Sequence, residues 1–361
     1  MKVILAHESY TQYGGAERVL EGMKELYPEA PVYTLVVDKN MQKYVHDWKV
    51  ITSPLQKIYN LYRNMQHLFV LIPVVLRFFK LEKADLLLSS SSAYLKGLRK
   101  PKGMMHINYC HTPSRFIWTD YEYALHEVTP LLRPFAKLYI WWLKKWDYKA
   151  AQKVDHFLAN GLEVQGRIKK YYNRDSEILH PFIDVDFWHS TRAKGDYFLI
   201  AGRLTPYKDY DKVILAFNKL GWPLHVIGTG RYEKYLRSIA GSNVIFLGRV
   251  DDESLRHQYS GARGFIYPQL EDFGMMPLEA ASCGTPTLGL AKGGSLETII
   301  PGKTGELLDV MNVDSLIAAL NKWDESNYNT ADLVAHANVF SKQEFKRKLA
   351  SLIANKINAG N

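Results

Sequence analysis

The segment GFIYPQLEDFGMMPLEAASCGTPTLGLA, residues 264–291, decides the fold. GFIYPQ and TPTLGLA are short runs of strand-forming residues, whereas the part between them breaks at Phe273-Gly274 and at Pro277. Proline is tolerated in the first turn of a helix. The pattern therefore predicts a strand, a loop over 270–276, a helix that includes LEAASCG, and a second strand.

The same alternation of strand and helix recurs along the chain. The predicted strands are KVILAH, VYTLVV, ADLLLSSS, HINYCH and HFLAN in the first half, and YFLIAGRL, LHVIGTG, NVIFLGRV, GFIYPQ, TPTLGLA and GELLD in the second. Alternating strands and helices are typical of an α/β fold with parallel sheets. Two such series predict two Rossmann-like domains, with ligands at the carboxyl ends of the strands, in a cleft between the domains.

The domain boundary is predicted from a change of pattern. ILHPFIDVDFWHS, residues 178–190, interrupts both periodicities, so we divide the chain into domains 1–182 and 183–341. A terminal helix follows, with Ser341 as its N-cap and Glu344 three residues later.

Composition narrows the class of protein. Hydrophobic residues make up 47% of the 361 residues and charged residues 23%, which is typical of a folded soluble protein. The net charge of +9 favours anionic partners such as phosphates, lipid head groups or nucleic acid. Two cysteines, Cys110 and Cys283, stand in apolar contexts, which indicates the reducing cytoplasm and no disulfide framework. The longest apolar run, at 68–76, is too short to span a membrane.

The opening segment contains two acids that can face one ligand. Glu271 stands at a strand end, and Glu279 lies in the first turns of the following helix. Backbone amides of Phe273, Gly274 and Met275 can bind oxygen atoms, and the two acids can accept hydrogen bonds from hydroxyl groups. Sugars offer such hydroxyls.

Two other strand ends carry groups that suit phosphates. Gly202 and Arg203 end the strand of AGRLTPYK, and Lys208 follows, so a guanidinium and an ammonium could clamp a diphosphate without metal. Gly14 and Gly15 precede a helix whose amino end would favour an anion. Either group could instead be an ordinary turn with solvated cations.

A fourth strand end carries an imidazole. His111 ends the strand of HINYCH, and Arg115 and Trp118 follow closely in HTPSRFIW. The chain lacks GxxxxGK[ST], HExxH and GxSxG, which argues against P-loop, zinc-protease and α/β-hydrolase chemistry. We interpret Asp184 and Asp186 as linker residues and predict no metal site.

In their order along the chain, these motifs resemble the retaining glycosyltransferases of family 4. The motifs are GGAER, YCHTPSRFIW, the GR-x4-K of GRLTPYK, VIGTG, NVIFLGRV and the E-x7-E of EDFGMMPLE followed by ASCGTP. The resemblance implies the GT-B fold, two Rossmann-like domains facing an interdomain cleft. HTPSRFIW is similar to the branch of mannosyl- and glucosyltransferases that build surface polysaccharides.

The resemblance implies a role for each donor-side residue. Arg203 and Lys208 would bind the donor diphosphate in place of a divalent cation. Glu271 would hold hydroxyls of the transferred sugar with the amides of residues 273–275, and Glu279 would hold the ribose. Gly15 would approach the phosphates or the sugar.

It also implies a role for the first domain, as the acceptor side. His111 would lie beside the sugar near the acceptor, with Arg115 and Trp118 also on the acceptor side. In the second domain, the nucleotide base would lie near Arg249 and Val250. The helix from about 342 would pack back onto the first domain. The resemblance implies retention of anomeric configuration, and we expect front-face transfer because no carboxylate nucleophile is identified.

Two segments rich in aromatic and basic residues suggest a lipid-linked acceptor. Residues 130–154 place Phe135, Leu138, Trp142 and Trp146 on one helical stripe among lysines, and residues 56–80 have a similar composition. These stripes could instead pack in the domain core. If they are exposed, the enzyme would work in the cytoplasm at the inner face of the cell membrane.

We expect a donor of GDP-mannose, with UDP-glucose next, and no nucleic acid partner. One alternative is a UDP-sugar 2-epimerase of the same fold, which would convert its substrate without an acceptor. The other is a non-catalytic basic protein that binds membrane or nucleic acid, with strongly salt-dependent affinity.

Overall fold

The computed structural model describes residues 1–63, 68–126 and 128–360. It divides into two compact units. The first consists of Met1–His180 with Lys346–Asn361, and the second of Pro181–Phe345. Each is built around one parallel sheet.

The sheet of the first unit has seven described strands. They are β1 (Val3–His7), β2 (Val32–Thr34), β3 (Val50–Thr52), β4 (Leu86–Ser91), β5 (Met105–Cys110), β6 (His156–Ala159) and β7 (Ser176–Ile178). Their spatial order is β3-β2-β1-β4-β5-β6-β7, and every pairing is parallel.

Helices cover this sheet. They are α1 (Gly15–Leu26), α2 (Gln42–Val45), α3 (Leu55–Tyr62), α4 (Ile72–Phe78), α5 (Arg115–Trp118), α6 (Tyr121–His126), α7 (Arg133–Ala151) and α8 (Leu162–Tyr172). The residues of β1 and β4 are buried throughout, because a parallel strand packed on both faces must be apolar or paired along its whole length. The serines that end β4 are buried with it, and Ser89 and Ser91 both accept hydrogen bonds from Asn108.

The sheet of the second unit has six described strands. They are β8 (Phe198–Ala201), β9 (Leu224–Ile227), β10 (Val244–Gly248), β11 (Gly264–Tyr267), β12 (Thr287–Leu290) and β13 (Gly305–Leu308). Their order is β10-β9-β8-β11-β12-β13, again parallel.

The accompanying helices complete the second unit. They are α9 (Tyr210–Leu220), α10 (Glu233–Ile239), α11 (Asp252–Gly261), α12 (Met275–Ser282), α13 (Ser295–Thr298), α14 (Val313–Leu320) and α15 (Thr330–Asn338). Cys110 in the first unit and Cys283 in the second are both buried, and neither forms a disulfide in this structure.

The last helix, α16 (Lys342–Gly360), begins where the sequence predicted. The Glu344 amide donates to Ser341 Oγ over 3.4 Å, which is the expected N-cap contact. From Lys346 onward its residues belong to the first unit, where Lys346 pairs with Glu25 at 3.0 Å and Lys356 pairs with Glu177.

All eleven predicted strands are present, but the sequence missed two. β3 and β7 are the edge strands of the first sheet, only three residues long and half-buried. An edge strand of this kind produces no continuous apolar run, so its pattern resembles that of a loop.

Two other features bear on the membrane hypothesis. No helix in the described ranges is long and apolar enough to cross a membrane. Of the segment 56–80, residues 64–67 lie outside the described residues, so that prediction is followed only on α3 and α4 and the residues beside them.

Candidate functional site

An ion pair lies at the carboxyl end of the second sheet. Lys208 Nζ is 3.2 Å from Glu271 Oε1, and the two side chains are 9% and 27% exposed. Lys208 follows β8 and Glu271 follows β11, and these strands are neighbours. Because carboxyl ends of parallel strands share one edge of the sheet, residues far apart in sequence meet there.

The loop after β8 is built closely around Lys208. A Cβ atom on Gly202, where φ is +136°, would lie 3.1 Å from Lys208 Nζ and 2.8 Å from the Tyr210 hydroxyl. That hydroxyl donates to the Ala201 carbonyl over 2.6 Å. Gly202 therefore leaves the space in which the lysine ammonium lies, and Tyr210 fixes the strand end beneath it.

Arg203 belongs to the same loop but differs from Lys208. Its side chain is exposed and makes no ion pair or hydrogen bond with the described part of the chain. The positive charge of Lys208 is balanced by Glu271, whereas the guanidinium of Arg203 is uncompensated and can bind an added anion.

The loop that carries Glu271 packs against a second glycine-containing loop after β12. The Gly294 amide donates to the Glu271 carbonyl over 3.0 Å. A Cβ on Gly294 would lie 1.8 Å from the Phe273 carbonyl oxygen, so a larger residue would push the loops apart. The Phe273 side chain is buried and packs on Phe340 at 5.7 Å between ring centroids, so its backbone rather than its ring is left for a ligand.

α12 begins directly after this loop. Its N-cap is Gly274, whose φ of +83° lies in the left-handed region that favours glycine. The helix starts at Met275, which places Pro277 in its first turn as predicted.

Glu279 is buried in the second turn of α12. Its carboxylate lies near two buried tyrosines. Burial, followed by the Glu271 carboxylate, raises the pKa of Tyr267 well above its ordinary value, and Glu279 adds to the shift. Burial, followed by Glu279, similarly raises the pKa of Tyr259. Both acids therefore act on the buried hydroxyl group of Tyr267, which stays neutral, and Glu279 acts on that of Tyr259 as well.

Arg249 and Val250 follow β10, at the edge of the second sheet. Two strand spacings separate β10 from β8, which puts this strand end roughly 10 Å from that of Lys208. Arg249 is exposed and Val250 packs partly into the core. The structure therefore does not bring them into the cluster around Lys208.

In the first unit, a chain of hydrogen bonds ends at His111. Its Nε2 is 2.8 Å from Ser90 Oγ, which is 3.2 Å from His7 Nδ1. His7 Nε2 in turn is 3.5 Å from Glu17 Oε1. β1, β4 and β5 are adjacent strands, so their carboxyl ends and α1 supply this chain together.

Burial of the ring favours the neutral form of His111. Burial, followed by His7, lowers the pKa of His111 to about 3. The Asn160 side chain donates to the His111 carbonyl over 2.9 Å, which fixes the backbone as well. A neutral imidazole can both donate and accept a hydrogen bond at ordinary pH.

Gly14 and Gly15 lie at the start of α1, beside the same chain. Gly14 is the N-cap, and a Cβ there would lie 3.4 Å from Glu17 Oε2. The amino end of α1 is thus next to a carboxylate of its own first turn, which offsets part of the positive helix end.

In the described part of the first unit, the side chains of Arg115 and Trp118 contact partners other than His111. Arg115 Nε donates to Asp120 at 2.9 Å. The Trp118 indole donates to Asp147 Oδ2 at 2.8 Å and stacks on Tyr171. Asp147 is fully buried, so Trp118 serves to hold α5 against α7.

The charged groups at the end of the second sheet suit a phosphorylated ligand with hydroxyl groups. Among the described residues, no group of three or more His, Cys, Asp or Glu side chains lies where it could hold a metal ion. Arg203 and Lys208 supply positive charge at this strand end.

Two family models match the chain and together span nearly all of it. "Glycosyltransferase Family 4" matches residues 13–187, and "Glycosyl transferases group 1" matches residues 184–355. The chain belongs to glycosyltransferase family 4. This confirms the family that the motifs indicated. The second match contains the whole second sheet, and the first contains β2 to β7 of the first sheet.

Curated relatives of this family 4 chain include mannosyltransferases. It is 33% identical over 130 residues to a GDP-mannose-dependent monoacylated alpha-(1-6)-phosphatidylinositol monomannoside mannosyltransferase of Corynebacterium glutamicum, covering 32% of this chain and 34% of the relative. It is 28% identical over 182 residues to the O-antigen chain mannosyltransferase RfbU of Salmonella typhimurium, covering 46% and 50%. The matches thus span between a third and a half of these relatives.

A solved structure supports the fold over the whole length. The Anabaena protein HepE, crystallised with UDP-glucose, matches with a TM-score of 0.73 and 16% identity, covering 98% of this chain and 100% of that one. The prediction of an α/β GT-B fold with two Rossmann-like domains is confirmed.

Sequence reasoning about this family 4 chain missed several residues at the carboxyl ends of the strands in both sheets. His7 and Glu17 in the first unit, and Tyr210 and Tyr267 in the second, were not predicted to belong to the sites. His7 ends its strand as His111 does, so the same signal was available. The tyrosines carry no such signal, because an aromatic residue near a strand end is usually part of the core.

Proposed function

We propose that this chain is a retaining glycosyltransferase that moves a hexose from a nucleotide-diphosphate sugar to a lipid-linked saccharide acceptor in the synthesis of surface polysaccharide. The observation that carries the proposal is the Lys208–Glu271 pair, in which a cation and a hydrogen-bond acceptor are held together at neighbouring strand ends. A nucleotide-diphosphate sugar presents a phosphate and sugar hydroxyls at a similar spacing.

The two cations would stabilise the leaving group of the reaction. Arg203 and Lys208 would bind the diphosphate and neutralise the charge that grows on it as the glycosidic bond breaks. A bound phosphate would replace Glu271 as the partner of the Lys208 ammonium. The Glu271 carboxylate would then accept hydrogen bonds from the transferred sugar, so the free site keeps both groups ready in one ion pair.

The surrounding groups would orient the donor. The amides of Phe273, Gly274 and Met275 at the amino end of α12 would bind sugar oxygens, and Glu279 would hold the ribose. The strand end with Arg249 and Val250 is roughly two strand spacings from β8, a distance that leaves room for the ribose between the diphosphate and the base.

His111 would position a hydroxyl group and would not remove a proton. With a pKa lowered to about 3, its imidazole is a weak base. This supports front-face transfer, in which an oxygen of the leaving phosphate takes the proton of the acceptor hydroxyl while the new bond forms on the face that the leaving group vacates.

We favour GDP-mannose over UDP-glucose as the donor. Relatives at about 30% identity include proteins whose names give GDP-mannose as the donor, whereas the HepE structure with UDP-glucose shares 16% identity and shows the fold alone. A thermal-shift series with GDP, UDP and ADP, each alone and as its hexose, tests this directly, because a ligand that binds the folded state raises the melting temperature.

The expected result is stabilisation by GDP and GDP-mannose that Lys208→Ala removes. Stabilisation by UDP-glucose alone would move the proposal to the second donor. Conversion of a UDP-sugar to its C2 epimer without acceptor would contradict transfer and support the isomerase alternative.

A further inference from the structure

A cavity of about 710 Å³ lies in the first unit, away from the carboxyl ends of that unit's strands. Its walls come from α4, from the segment 97–100 that follows β4, and from the last turns of α7. Four cations line it, Arg77, Arg99, Lys100 and Lys153, and none of the described residues that line it is acidic. We call it the basic pocket.

The basic pocket lies at the amino edge of the first sheet. Lys100 pairs with Asp155, whose carboxylate accepts a hydrogen bond from the His106 amide at the start of β5. His111 follows the other end of β5, six residues of strand away, or roughly 20 Å. The pocket is therefore separate from the hydrogen-bond chain at His111.

Most of its positive charge is uncompensated. Lys100 has Asp155 as a partner. Arg77, Arg99 and Lys153 are exposed and form no ion pair with any described residue. Three such cations around one cavity favour an anion with several oxygen atoms.

A rim of exposed apolar side chains surrounds the basic pocket. Val74 and Phe78 on α4 are 56% and 70% exposed, and Trp142 on α7 is 42% exposed, and all three line the pocket. Phe135 and Leu138 continue the same stripe of α7 at 70% and 64% exposure. Trp146, which the sequence placed on this stripe, is half-buried against Tyr94. Exposed aromatic residues on two helices form the kind of patch that marks an interaction surface.

α7 shows no negative charge to solvent. Its one acid, Asp147, is fully buried and pairs with Lys96 at 3.1 Å. Its basic residues are Arg133, Lys137, Lys144, Lys145 and Lys149. Lys145 Nζ lies 3.6 Å from the centre of the Trp141 ring, so the long lysine stems cover apolar surface while their charges stay at the rim.

We propose that this surface docks on an anionic phospholipid bilayer, with a lipid phosphate in the basic pocket and the rim residues of α4 and α7 in the interfacial layer. Trp and Phe beside Lys and Arg are the combination that partitions into the boundary between head groups and acyl chains. A second copy of the chain is a poorer occupant, because a symmetric contact would bring two positive patches together.

This inference rests on the proposed function only in that a lipid-linked acceptor gives the chain a reason to bind a membrane. Vesicle binding needs neither donor nor acceptor, so it can fail or succeed by itself. Stabilisation by GDP in the same preparations reports separately on the donor site.

The test is flotation of the full chain with vesicles of phosphatidylcholine, with and without about one-third phosphatidylglycerol. We expect binding to the anionic vesicles at least about tenfold stronger than to the neutral ones, and weakened by salt. Arg77→Gln with Arg99→Gln should lower binding at least about tenfold, since each cation near an anionic surface contributes about fivefold. Trp142→Ser should also weaken it.

Matched variants distinguish binding of a lipid phosphate in the basic pocket from general electrostatic attraction to the membrane. Lys144→Gln with Lys149→Gln removes two charges from α7 outside the pocket and should cost less than the Arg77 and Arg99 pair. Lys234→Gln with Lys322→Gln removes two exposed charges from the second unit and should leave binding within about twofold.

Three results would overturn the proposal. The first is equal binding to anionic and neutral vesicles, and the second is an equal loss of vesicle binding in the Arg77 and Arg99 variant and in the Lys234 and Lys322 variant. The third is a dimer in sedimentation analysis that Trp142→Ser dissociates while vesicle binding persists. Unchanged stabilisation by GDP in each variant shows that the loss is not one of folding.

Discussion

The strand ends of the two sheets carry different chemistry. At the second sheet, Lys208 and Glu271 form an ion pair beside the uncompensated Arg203. At the first sheet, Ser90 and two histidines form a chain that leaves His111 neutral. The same topology therefore supports a site suited to a charged ligand and another suited to a hydroxyl group.

The difference follows from what surrounds each group. Lys208 keeps a carboxylate within 3.2 Å, which offsets the cost of removing its charge from water. No acidic side chain of the described residues contacts the His111 ring, and the acid at the far end of its hydrogen-bond chain, Glu17, contacts His7 instead. Burial without a counter-charge favours the neutral form.

The largest effect should come from the charged site. Lys208→Ala and Glu271→Ala should each lower kcat/KM of sugar transfer at least about a hundredfold, because each removes a contact to charge or hydroxyl groups in the transition state. A radiolabelled-sugar transfer assay measures this. Lys212→Ala is the matched control, since that lysine pairs with Asp209 at 2.9 Å on the exposed side of α9 and should lose less than about threefold. Near-normal turnover of both site variants would remove the basis of the comparison.

Acid should loosen the first unit before the second. Burial lowers the pKa of both His106 and His111 to about 3, from 6.5. Between those values the unfolded chain binds protons that the folded unit does not, so the stability that is complete above about pH 6.5 falls as the pH drops towards 3. Each histidine contributes about 1.4 kcal/mol per pH unit at most.

Amide hydrogen exchange, corrected for the intrinsic rate, can locate this loss. Peptides that contain β4 and β5 should lose protection between about pH 6.5 and 5, and those that contain β8 and β11 should lose less. His106→Gln should reduce the pH dependence of the first group. Equal loss in both units would show that the burial of these histidines does not distinguish them.

A smaller effect should come from the hydrogen-bond chain that ends at His111. Ser90→Ala removes the hydrogen bond to His111 Nε2, worth about 1 kcal/mol, and should lower kcat/KM about fivefold. Ser92→Ala removes a hydroxyl just beyond the same strand and should have almost no effect. Because His111 acts as a neutral group, the ratio of the parent and Ser90→Ala rates should be constant with pH from about 6 to 8. A ratio that follows a titration near pH 6.5 would instead make His111 a general base.

How far the sequence predicts these sites depends on the spacing of their residues. Glu271, Gly274 and Pro277 stand in one segment of strand, loop and helix, so their local arrangement could be inferred from turn and helix preferences alone. The strand ends of Lys208 and Glu271 could be placed on one edge by the βα alternation, but their direct pairing required the strand order, in which β8 and β11 are adjacent.

The hydrogen-bond chain of the first unit was harder to predict for the same reason. Its members come from β1, α1, β4 and β5, and Ser90 looks like part of a run of four serines. The prediction for Trp118 failed for a different reason, because its closeness in sequence to His111 was misleading. It stands three residues after Arg115 and near His111 in sequence, yet its indole is directed to Asp147 within the helical layer. Proximity along the chain did not indicate which side of the strand end a helical residue would occupy.

The smallest effect should come from removing metal ions. Transfer in the presence of a chelator should stay within about twofold of the untreated rate, because Arg203 and Lys208 would supply positive charge at the β8 strand end and Glu271 would release Lys208 when the donor binds. In the proposed complex, the ammonium and the guanidinium would both face phosphate oxygens. A site that needed a divalent cation would lose activity with the chelator and regain it with added magnesium or manganese. In that case the acids of the second unit, Glu271 and Glu279, would have to act as metal ligands, and Glu271→Gln would weaken metal dependence as well as sugar transfer. Preserved activity with the chelator, together with loss in Lys208→Ala, would show that protein cations do this work, in contrast to the neutral hydrogen-bond chain that ends at His111.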